Sequence, residues 1–238
     1  MLFTPISRND LLRLLPKGGA VAEIGVALGE FSTIILDITA PERLHLIDPW
    51  RYQESEEIQA DPNNVPDTEN EERFQEVTEK FAKDIESGRV VVHRKFSGEA
   101  VRSFEDESLD WVYLDGSHVY EDVLADLDSY DAKVKKDGFI LGHDYTNHVL
   151  AKNMNFGVVE AVDRFVERTG YEFLVLNNVE FPTYVLAKSV SSEAAQAFLA
   201  NIAFNVKGTI EIHDFPRRGF KHKEVISKDR VVNLIPSF

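Results

Sequence analysis

The 238-residue sequence predicts an α/β fold with a doubly wound, mainly parallel sheet. Three observations favour this fold class. Short runs of Val, Ile and Leu recur along the chain, segments with helical periodicity separate them, and the first run leads into a glycine-containing turn. Strands that are covered on both faces have nearly continuous apolar sequences, and their alternation with helices is typical of doubly wound sheets.

Seven apolar runs are the predicted strands of this sheet. In chain order they are Val21–Gly25, Leu44–Asp48, Val90–His93, Trp111–Asp115, Phe139–Asp144, Glu172–Leu176 and Thr183–Ala187. Helix-like segments separate most of the first five runs, which therefore fit parallel strands joined by helical crossovers. Only a short turn region separates the last two runs, so we expect them to form a closing antiparallel hairpin.

Helices are predicted before and between these strands. A capping-box pattern, Ser7 with Asp10 three residues later, precedes the first helix. The second helix is expected over Phe31–Ile38. Apolar residues at helical spacing indicate three further helices, within residues 74–85, 123–130 and 159–166, the last of them ending near Gly170.

Two regions do not follow this alternation. Residues 51–70 are acidic, contain two prolines and have few apolar residues, so they form either a disordered insertion or a lid over a site. The main domain is expected at 1–190, followed by an extension at 191–238 with a helix over Ser191–Ala203 and strand-like pieces at Thr209–Ile212 and Val231–Ile235. We expect this extension to pack on the domain or on a second subunit of a homo-oligomer.

Composition excludes several classes of function. The net charge of −15 disfavours binding to nucleic acid or to anionic membrane surfaces, and the basic cluster formed by Arg217, Arg218, Lys221 and Lys223 is interpreted as a solvated part of the tail. The absence of cysteine excludes disulfides, thiolate zinc sites and cysteine nucleophiles. No signal-peptide pattern or membrane-span sequence is recognisable. We therefore expect a cytoplasmic protein that acts on a small molecule.

The segment Glu23–Gly29 indicates a ligand-binding loop between the first strand and its helix. Gly25 and Gly29 allow positive φ or close approach of a ligand to the backbone. Asp48 ends the next strand, where a carboxylate can accept hydrogen bonds from ribose hydroxyls. Ala27 replaces the second glycine of the dinucleotide fingerprint, and Glu23 suits a cationic group. This pattern favours S-adenosylmethionine over a nicotinamide dinucleotide, although an NAD(P)-dependent oxidoreductase remains an alternative.

Two later segments carry a more specific pattern. The sequences LDGSHVYEDVLADL, from Leu114, and DGFILGHDY, from Asp137, resemble the class I S-adenosylmethionine-dependent methyltransferases. The resemblance is to the small-molecule O-methyltransferases of the caffeoyl-CoA, catechol and macrocin types, and it covers residues 21–187. It implies a Rossmann-like, seven-stranded sheet with one reversed strand.

The resemblance also implies roles for individual residues. Glu23, Gly25 and Gly29 would line the aminoacyl end of S-adenosylmethionine, with Asp48 on the ribose and Ser97 near the adenine. Asp115 would lie beside the cofactor and, with Asp144, would bind Mg²⁺ or Mn²⁺. His118 follows Asp115 by three residues, where catechol-type enzymes have a catalytic lysine, and would act as the base.

The chain departs from the family pattern after its fifth predicted strand. Tyr145 stands where catechol-type enzymes have asparagine, and His143 stands where macrocin-type enzymes have a carboxylate. His143 is therefore a candidate metal ligand, a candidate base or a polar residue facing the crevice. The expected reaction is methyl transfer to a hydroxyl of a small molecule with help from a divalent metal. Transfer to nitrogen or carbon, and a non-catalytic S-adenosylmethionine-binding role, remain alternatives.

Overall fold

The computed structural model describes residues 1–216, 219–226, 228 and 232–238. Within these residues, the large sheet contains nine strands. They are β1 (Leu2–Thr4), β2 (Ala20–Ile24), β3 (Arg43–Asp48), β4 (Val90–Arg94), β5 (Leu109–Leu114), β6 (Val134–Gly142), β7 (Glu172–Asn177), β8 (Tyr184–Ala187) and β9 (Ile210–Glu211). A separate hairpin consists of β10 (Lys221–Ile226) and β11 (Val232–Ser237).

The helices lie between these strands and before the C-terminal hairpin. Those in the described part of the chain are α1 (Arg8–Leu14), α2 (Glu30–Thr39), α3 (Asp67–Lys80), α4 (Ala82–Glu86), α5 (Ser97–Ala100), α6 (Tyr120–Asp131), α7 (Val149–Asn153), α8 (Val158–Thr169) and α9 (Glu193–Asn205). None of them is long and apolar enough to cross a membrane. The predicted helices are confirmed, although the segment 74–85 is divided between α3 and α4 at Phe81.

The strand order β4-β3-β2-β5-β6-β8-β7-β1-β9 gives the sheet its doubly wound topology. Strands β2 to β6 are mutually parallel, and β8 runs antiparallel to both β6 and β7, which confirms the predicted closing hairpin. The chain changes winding direction between β2 and β5. The carboxyl ends of these two strands therefore border the crevice in which open α/β sheets bind ligands.

The expected strand number of seven is too low, because β1 and β9 extend the sheet beyond β7. Strand β1 pairs in parallel with β7, and β9 pairs antiparallel with β1. These strands have three and two residues. Strands this short do not produce a recognisable apolar run in the sequence, so sequence periodicity does not reveal them.

Each face of the sheet is covered by its own apolar layer. One layer contains Val162 and Leu127 from α8 and α6, and the other contains Ile35 and Phe198 from α2 and α9. Residues of β2 alternate between the layers, with Val21 in one and Ala22 and Ile24 in the other. This alternation explains the continuous apolar sequences, because both faces of each central strand are buried.

The C-terminal extension contacts the end of the sheet in the described part of the chain. Phe220 lies in the apolar layer beside α6 and α8. Asn147 donates a hydrogen bond to the carbonyl of Phe220 at 2.7 Å, and its own side-chain oxygen accepts from the amide of His222 at 3.1 Å. Of the residues singled out in the tail, Arg217, Arg218 and Val231 lie outside the described residues.

Candidate active site

The loop between β2 and α2 closely approaches neighbouring backbone. Gly25 has a φ of +85°, and a Cβ at this position would overlap the carbonyl oxygen of Asp115. Gly29, with a φ of +68°, is the N-cap of α2 and lies against Phe81. Side chains at either position would be strained. Gly25 lines the cavity between the strand ends, whereas Gly29 is not among the residues that line it.

Asp48 at the end of β3 holds this loop in place. One carboxylate oxygen accepts hydrogen bonds from the amides of Val26 and Ala27, both at 3.0 Å. The other accepts from the amide of Trp50 at 2.7 Å, and the Trp50 indole donates to the carbonyl of Ala27 at 2.9 Å. Burial raises the pKa of Asp48, and the three amide donors oppose that rise. The carboxylate therefore connects the β2–α2 loop with the loop that follows β3. The sequence did not predict this role.

Glu23 is a buried acid on β2, with 1% of its surface exposed. Its carboxylate accepts a hydrogen bond from the Ser32 hydroxyl. Burial raises the pKa of Glu23 to about 8, the nearby carboxylates of Asp115 and Asp48 act in the same direction, and Ser32 and Arg8 act against it. Burying an ionised carboxylate costs free energy unless a cation lies beside it. An ammonium group that binds in the crevice would therefore stabilise the ionised form of Glu23.

Replacing Glu23 by glutamine should change how stability depends on pH. The pKa of Glu23 rises from 4.5 in its unperturbed state to about 8 in the folded protein. Protonation of Glu23 therefore stabilises the folded protein. This contribution to the free energy of unfolding is complete below pH 4.5 and is lost as the pH rises to about 8. At pH 8 we expect Glu23→Gln to raise the Tm of the cofactor-free protein by about 4–8 °C, corresponding to about 2 kcal/mol.

The Glu23→Gln melting curves should be measured from pH 4.5 to 8.5, with Glu42→Gln, an exposed change, as the control. The Tm difference from wild type should shrink towards zero at the acidic end. In the same variant, the affinity for S-adenosylhomocysteine should fall about 10-fold, because a neutral amide balances an ammonium less well than a carboxylate does. A Tm difference that is independent of pH would show that Glu23 is not the titrating group.

Ser97 lies at the start of α5, the helix that follows β4. The Tyr130 hydroxyl donates to the carbonyl of Ser97 at 3.2 Å, and Ser97 lines the same cavity as Asp48. Asp126 on α6 lines it too, and burial raises the pKa of this acid to about 7, against a hydrogen bond from Ser97. These groups offer hydrogen-bonding partners to a molecule bound in the cavity.

Four titratable residues form a cluster beyond the carboxyl ends of β5 and β6, named here the acid–base cluster. They are Asp115, His118, His143 and Asp144. His118 Nε2 lies 2.6 Å from Asp144 Oδ2 and 3.7 Å from Asp115 Oδ1. His143 Nδ1 lies 3.2 Å from Asp144 Oδ1 and 3.8 Å from Asp115 Oδ1. The strand ends thus bring together all four residues that the sequence predicted for catalysis or metal binding.

The charges of this cluster are tightly balanced. Burial lowers the pKa of His118, but the nearby carboxylates of Asp115, Asp144 and Asp61 outweigh burial and raise it well above 6.5. Burial raises the pKa of Asp144, and contacts with His118 and His143 reverse the effect and lower it. These carboxylates therefore favour the protonated form of His118. Arg8, from the start of α1, adds a second cation 3.3 Å from Asp115.

The cluster has the donor set of a divalent-metal site. One ligand atom each from Asp115, His118 and Asp144 lies within 4.8 Å of the others. Both ring nitrogens of His118 are buried. None of the contacts that they make with carboxylates has hydrogen-bond geometry, and this includes the 2.6 Å contact with Asp144. Carboxylate and imidazole donors suit Mg²⁺ or Mn²⁺. The residues therefore fit the implied metal, with His143 immediately beside the three.

A cavity of about 790 Å³ connects the glycine loop with the acid–base cluster. This volume is typical of small-molecule sites. Gln53, Ile58 and residues 61–64 line part of it, and Glu56–Ile58 forms a 3-10 turn in the same segment. Three side chains of this site were not predicted from the sequence, namely Arg8, Asp61 and Phe156. Phe156 stacks on His118 with a ring-centroid distance of 4.4 Å. No local motif marks them, because their partners are distant in the sequence.

Comparisons with solved structures give the same fold. A protein assigned as a caffeoyl-CoA O-methyltransferase from Staphylococcus aureus has a TM-score of 0.53 and 14% identity, covering 77% of this chain and 86% of that chain. An O-methyltransferase family protein from Burkholderia thailandensis has a TM-score of 0.54 and 14% identity, covering 77% and 56%. A protein assigned as an rRNA methylase from Clostridium thermocellum has a TM-score of 0.52 and 12% identity, covering 75% and 92%. Identities this low indicate a shared fold and no more.

The family comparison is more direct. Residues 22–145, more than half of the chain, match the family model Methyltransf_24, described as a methyltransferase domain. No curated protein sequence matches the chain. The matched range begins in β2 and ends just beyond the acid–base cluster, so it includes both the glycine loop and the buried carboxylates. The chain therefore belongs to this methyltransferase-domain family and has the fold of a class I S-adenosylmethionine-dependent methyltransferase.

Proposed function

We propose that the protein transfers the methyl group of S-adenosylmethionine to a hydroxyl of a small molecule. The observation that carries this proposal is a buried acid–base cluster that opens into the same cavity as the glycine loop. A hydroxyl is a poor nucleophile until it loses its proton, and a base beside carboxylates meets that need. An amine acceptor that is already neutral has no such requirement, so the cluster favours oxygen over nitrogen.

The cofactor would lie across the carboxyl ends of β2 and β3. Glu23 is the candidate partner of its ammonium group, because this carboxylate is buried and forms no ion pair with the described residues. Asp48 has acceptor capacity left for the ribose hydroxyls after its three backbone hydrogen bonds. Ser97 and Asp126 line the cavity at the adenine end. This arrangement directs the sulfonium towards the acid–base cluster.

The acceptor would bind between the sulfonium and the acid–base cluster. Met154, Phe156 and Phe181 line this part of the cavity and provide apolar surface. Apolar walls exclude water and hold the acceptor oxygen in line with the methyl group, which is the main task of a methyltransferase. A net charge of −15 and the carboxylates around the site favour a neutral or cationic small molecule over a phosphate-rich polymer.

His118 is the proposed base, with Asp115 and Asp144 as the candidate metal ligands and His143 as an additional donor. When bound there, Mg²⁺ or Mn²⁺ would supply positive charge that favours the ionised acceptor oxygen and the neutral imidazole. The hydroxyl proton passes to His118 Nε2 as the oxygen lone pair forms a bond to the methyl carbon. The carbon–sulfur bond breaks, and its electrons remain on sulfur in neutral S-adenosylhomocysteine.

The test combines binding with methyl transfer. Calorimetry should show that S-adenosylhomocysteine binds at micromolar concentration and that NADH and NADPH do not. Radiolabelled S-adenosylmethionine, offered with a panel of hydroxylated aromatic and sugar compounds, should label at least one of them, and EDTA should suppress the labelling. Binding of a nicotinamide dinucleotide in place of S-adenosylhomocysteine would overturn the proposal. Labelling that is confined to amine acceptors would assign the reaction to nitrogen.

A further inference from the structure

Residues 51–66, named here the 51–66 loop, are closed on themselves by hydrogen bonds. The amide of Gln53 donates to the side-chain oxygen of Asn64, and the side-chain amide of Asn64 donates back to the carbonyl of Gln53, both at 2.9 Å. Gln59 donates to the carbonyls of Gln53 and Ser55 and accepts from the Tyr52 hydroxyl at 2.8 Å. The loop is thus a compact unit, which is the structure expected of a lid rather than of a disordered insertion.

Asp61 is the residue through which this loop reaches the acid–base cluster. Its Oδ1 accepts from the amide of Asn63 at 2.8 Å, which fixes the carboxylate within a tight turn. Its Oδ2 lies 3.5 Å from His118 Nδ1. Both side chains are largely buried, with 15% of the Asp61 side chain and 12% of the His118 side chain exposed. The loop therefore places a held carboxylate against the proposed base.

The His118 ring is constrained on several sides. Asp144 approaches Nε2 at 2.6 Å, Asp61 approaches the opposite nitrogen, and Phe156 stacks on the ring at an interplanar angle of 17°. A histidine that exchanges a proton through one nitrogen needs the other nitrogen protonated and held by an acceptor, because that contact fixes its tautomer and orientation. The same holds for a histidine that ligates a metal.

We propose that Asp61 is a positioning residue for His118, supplied by the 51–66 loop, so that closure of this loop over the cavity orients the base. The inference rests on the proposed function in that His118 is taken to act at its Nε2. With the loop displaced, Nδ1 would lose its carboxylate and the ring could turn about χ2. With the loop in place, Nε2 faces Asp115 and Asp144, where the acceptor hydroxyl would bind.

The experiment uses the full chain with Asp61→Asn, Asp61→Leu and the control Glu57→Gln, which removes one negative charge from an exposed side chain of the same loop. Loss of a carboxylate that orients a functional histidine costs about 10–100-fold. We expect kcat to fall about 10-fold in Asp61→Asn, whose amide oxygen can still accept, and about 100-fold in Asp61→Leu. Glu57→Gln should stay within about twofold of wild type, and S-adenosylhomocysteine affinity should be unchanged in all three.

A spectroscopic measurement on metal-free protein separates positioning from general damage to the loop. Long-range ¹H–¹⁵N spectra, with the His118 signals identified by their loss in His118→Asn, should show a shifted Nδ1 resonance in Asp61→Leu and no shift in Glu57→Gln. An unshifted Nδ1 in both Asp61 variants would overturn the proposal, as would kcat values equal to that of Glu57→Gln. If no acceptor is methylated by wild type, the proposed function fails, whereas the Nδ1 resonance still decides the role of Asp61. If Asp61→Leu does not fold, Asp61→Asn decides by the same two measurements.

Discussion

Replacing Asp144 by asparagine is expected to reduce methyl transfer about 10²- to 10⁴-fold, the range associated with loss of general acid–base function. The substitution keeps the shape of the side chain and removes its charge. Asp144 has a φ of +60°, a backbone conformation that asparagine tolerates better than most residues do, so the variant should fold. What it loses is the carboxylate that faces His118 at 2.6 Å and His143 at 3.2 Å.

The same variant should also lose any stimulation by Mg²⁺ or Mn²⁺, because two carboxylates and an imidazole make a much better divalent-cation site than one carboxylate and an imidazole do. Asp137→Asn is a matched control, since Asp137 is exposed on the same strand, β6, before its buried carboxyl end. Initial rates with and without EDTA, together with S-adenosylhomocysteine affinity, measure the effect. Wild-type activity that survives chelation would remove the metal from the mechanism, and an active Asp144→Asn would remove Asp144 as well.

The parts of the fold that the sequence predicted are those set by local physical requirements. The seven central strands were recognisable because burial on both faces makes their sequences continuously apolar. Gly25 and Gly29 were recognisable because side chains are strained at positive φ, which both adopt. Asp115 and Asp144 were expected to bind one metal ion together, and the neighbouring carboxyl ends of β5 and β6 bring them together.

The parts that the sequence did not predict depend on contacts between distant residues. Asp61 and His118 are 57 positions apart and Arg8 and Asp115 are 107 apart, and no periodicity or motif connects either pair. Strands β1 and β9 are too short to show alternation. Tertiary packing decides such features, so they require the folded chain.

The relation of the two histidines to the metal site illustrates the same limit. From the sequence, His118 was the expected base, and His143, which replaces a carboxylate of the macrocin-type pattern, was a candidate ligand, base or polar residue facing the crevice. In the structure it is His118 that groups most closely with Asp115 and Asp144. Strand register places a residue at the end of a strand, but side-chain rotamers decide which ring nitrogen reaches a given carboxylate. Which histidine is the metal ligand and which is the base therefore remains a proposal.

Asp48→Ala should have the second large effect, and it should act on both cofactor binding and stability. The variant loses acceptors for the amides of Val26, Ala27 and Trp50, of which the two loop amides lie beside the proposed ribose position. Hydrogen bonds to a charged group contribute about 1.5–3 kcal/mol each, and water can replace part of the lost interaction in an open crevice. We expect the free energy of unfolding to fall by about 2–4 kcal/mol and the affinity for S-adenosylhomocysteine to fall about 100-fold.

These two effects can be separated with a ligand that lacks the relevant hydroxyl. If Asp48 binds the ribose directly, wild type should bind the 2′-deoxy analogue of S-adenosylhomocysteine more weakly than the parent, and Asp48→Ala should bind the two equally. If Asp48 only holds the loops together, both proteins should show the same ratio of affinities. Asp37→Ala, an exposed change on α2, controls for the loss of one negative charge. If the ratio of the two affinities is the same in wild type and Asp48→Ala, Asp48 only connects the loops that follow β2 and β3. The ribose would then have no identified acidic partner.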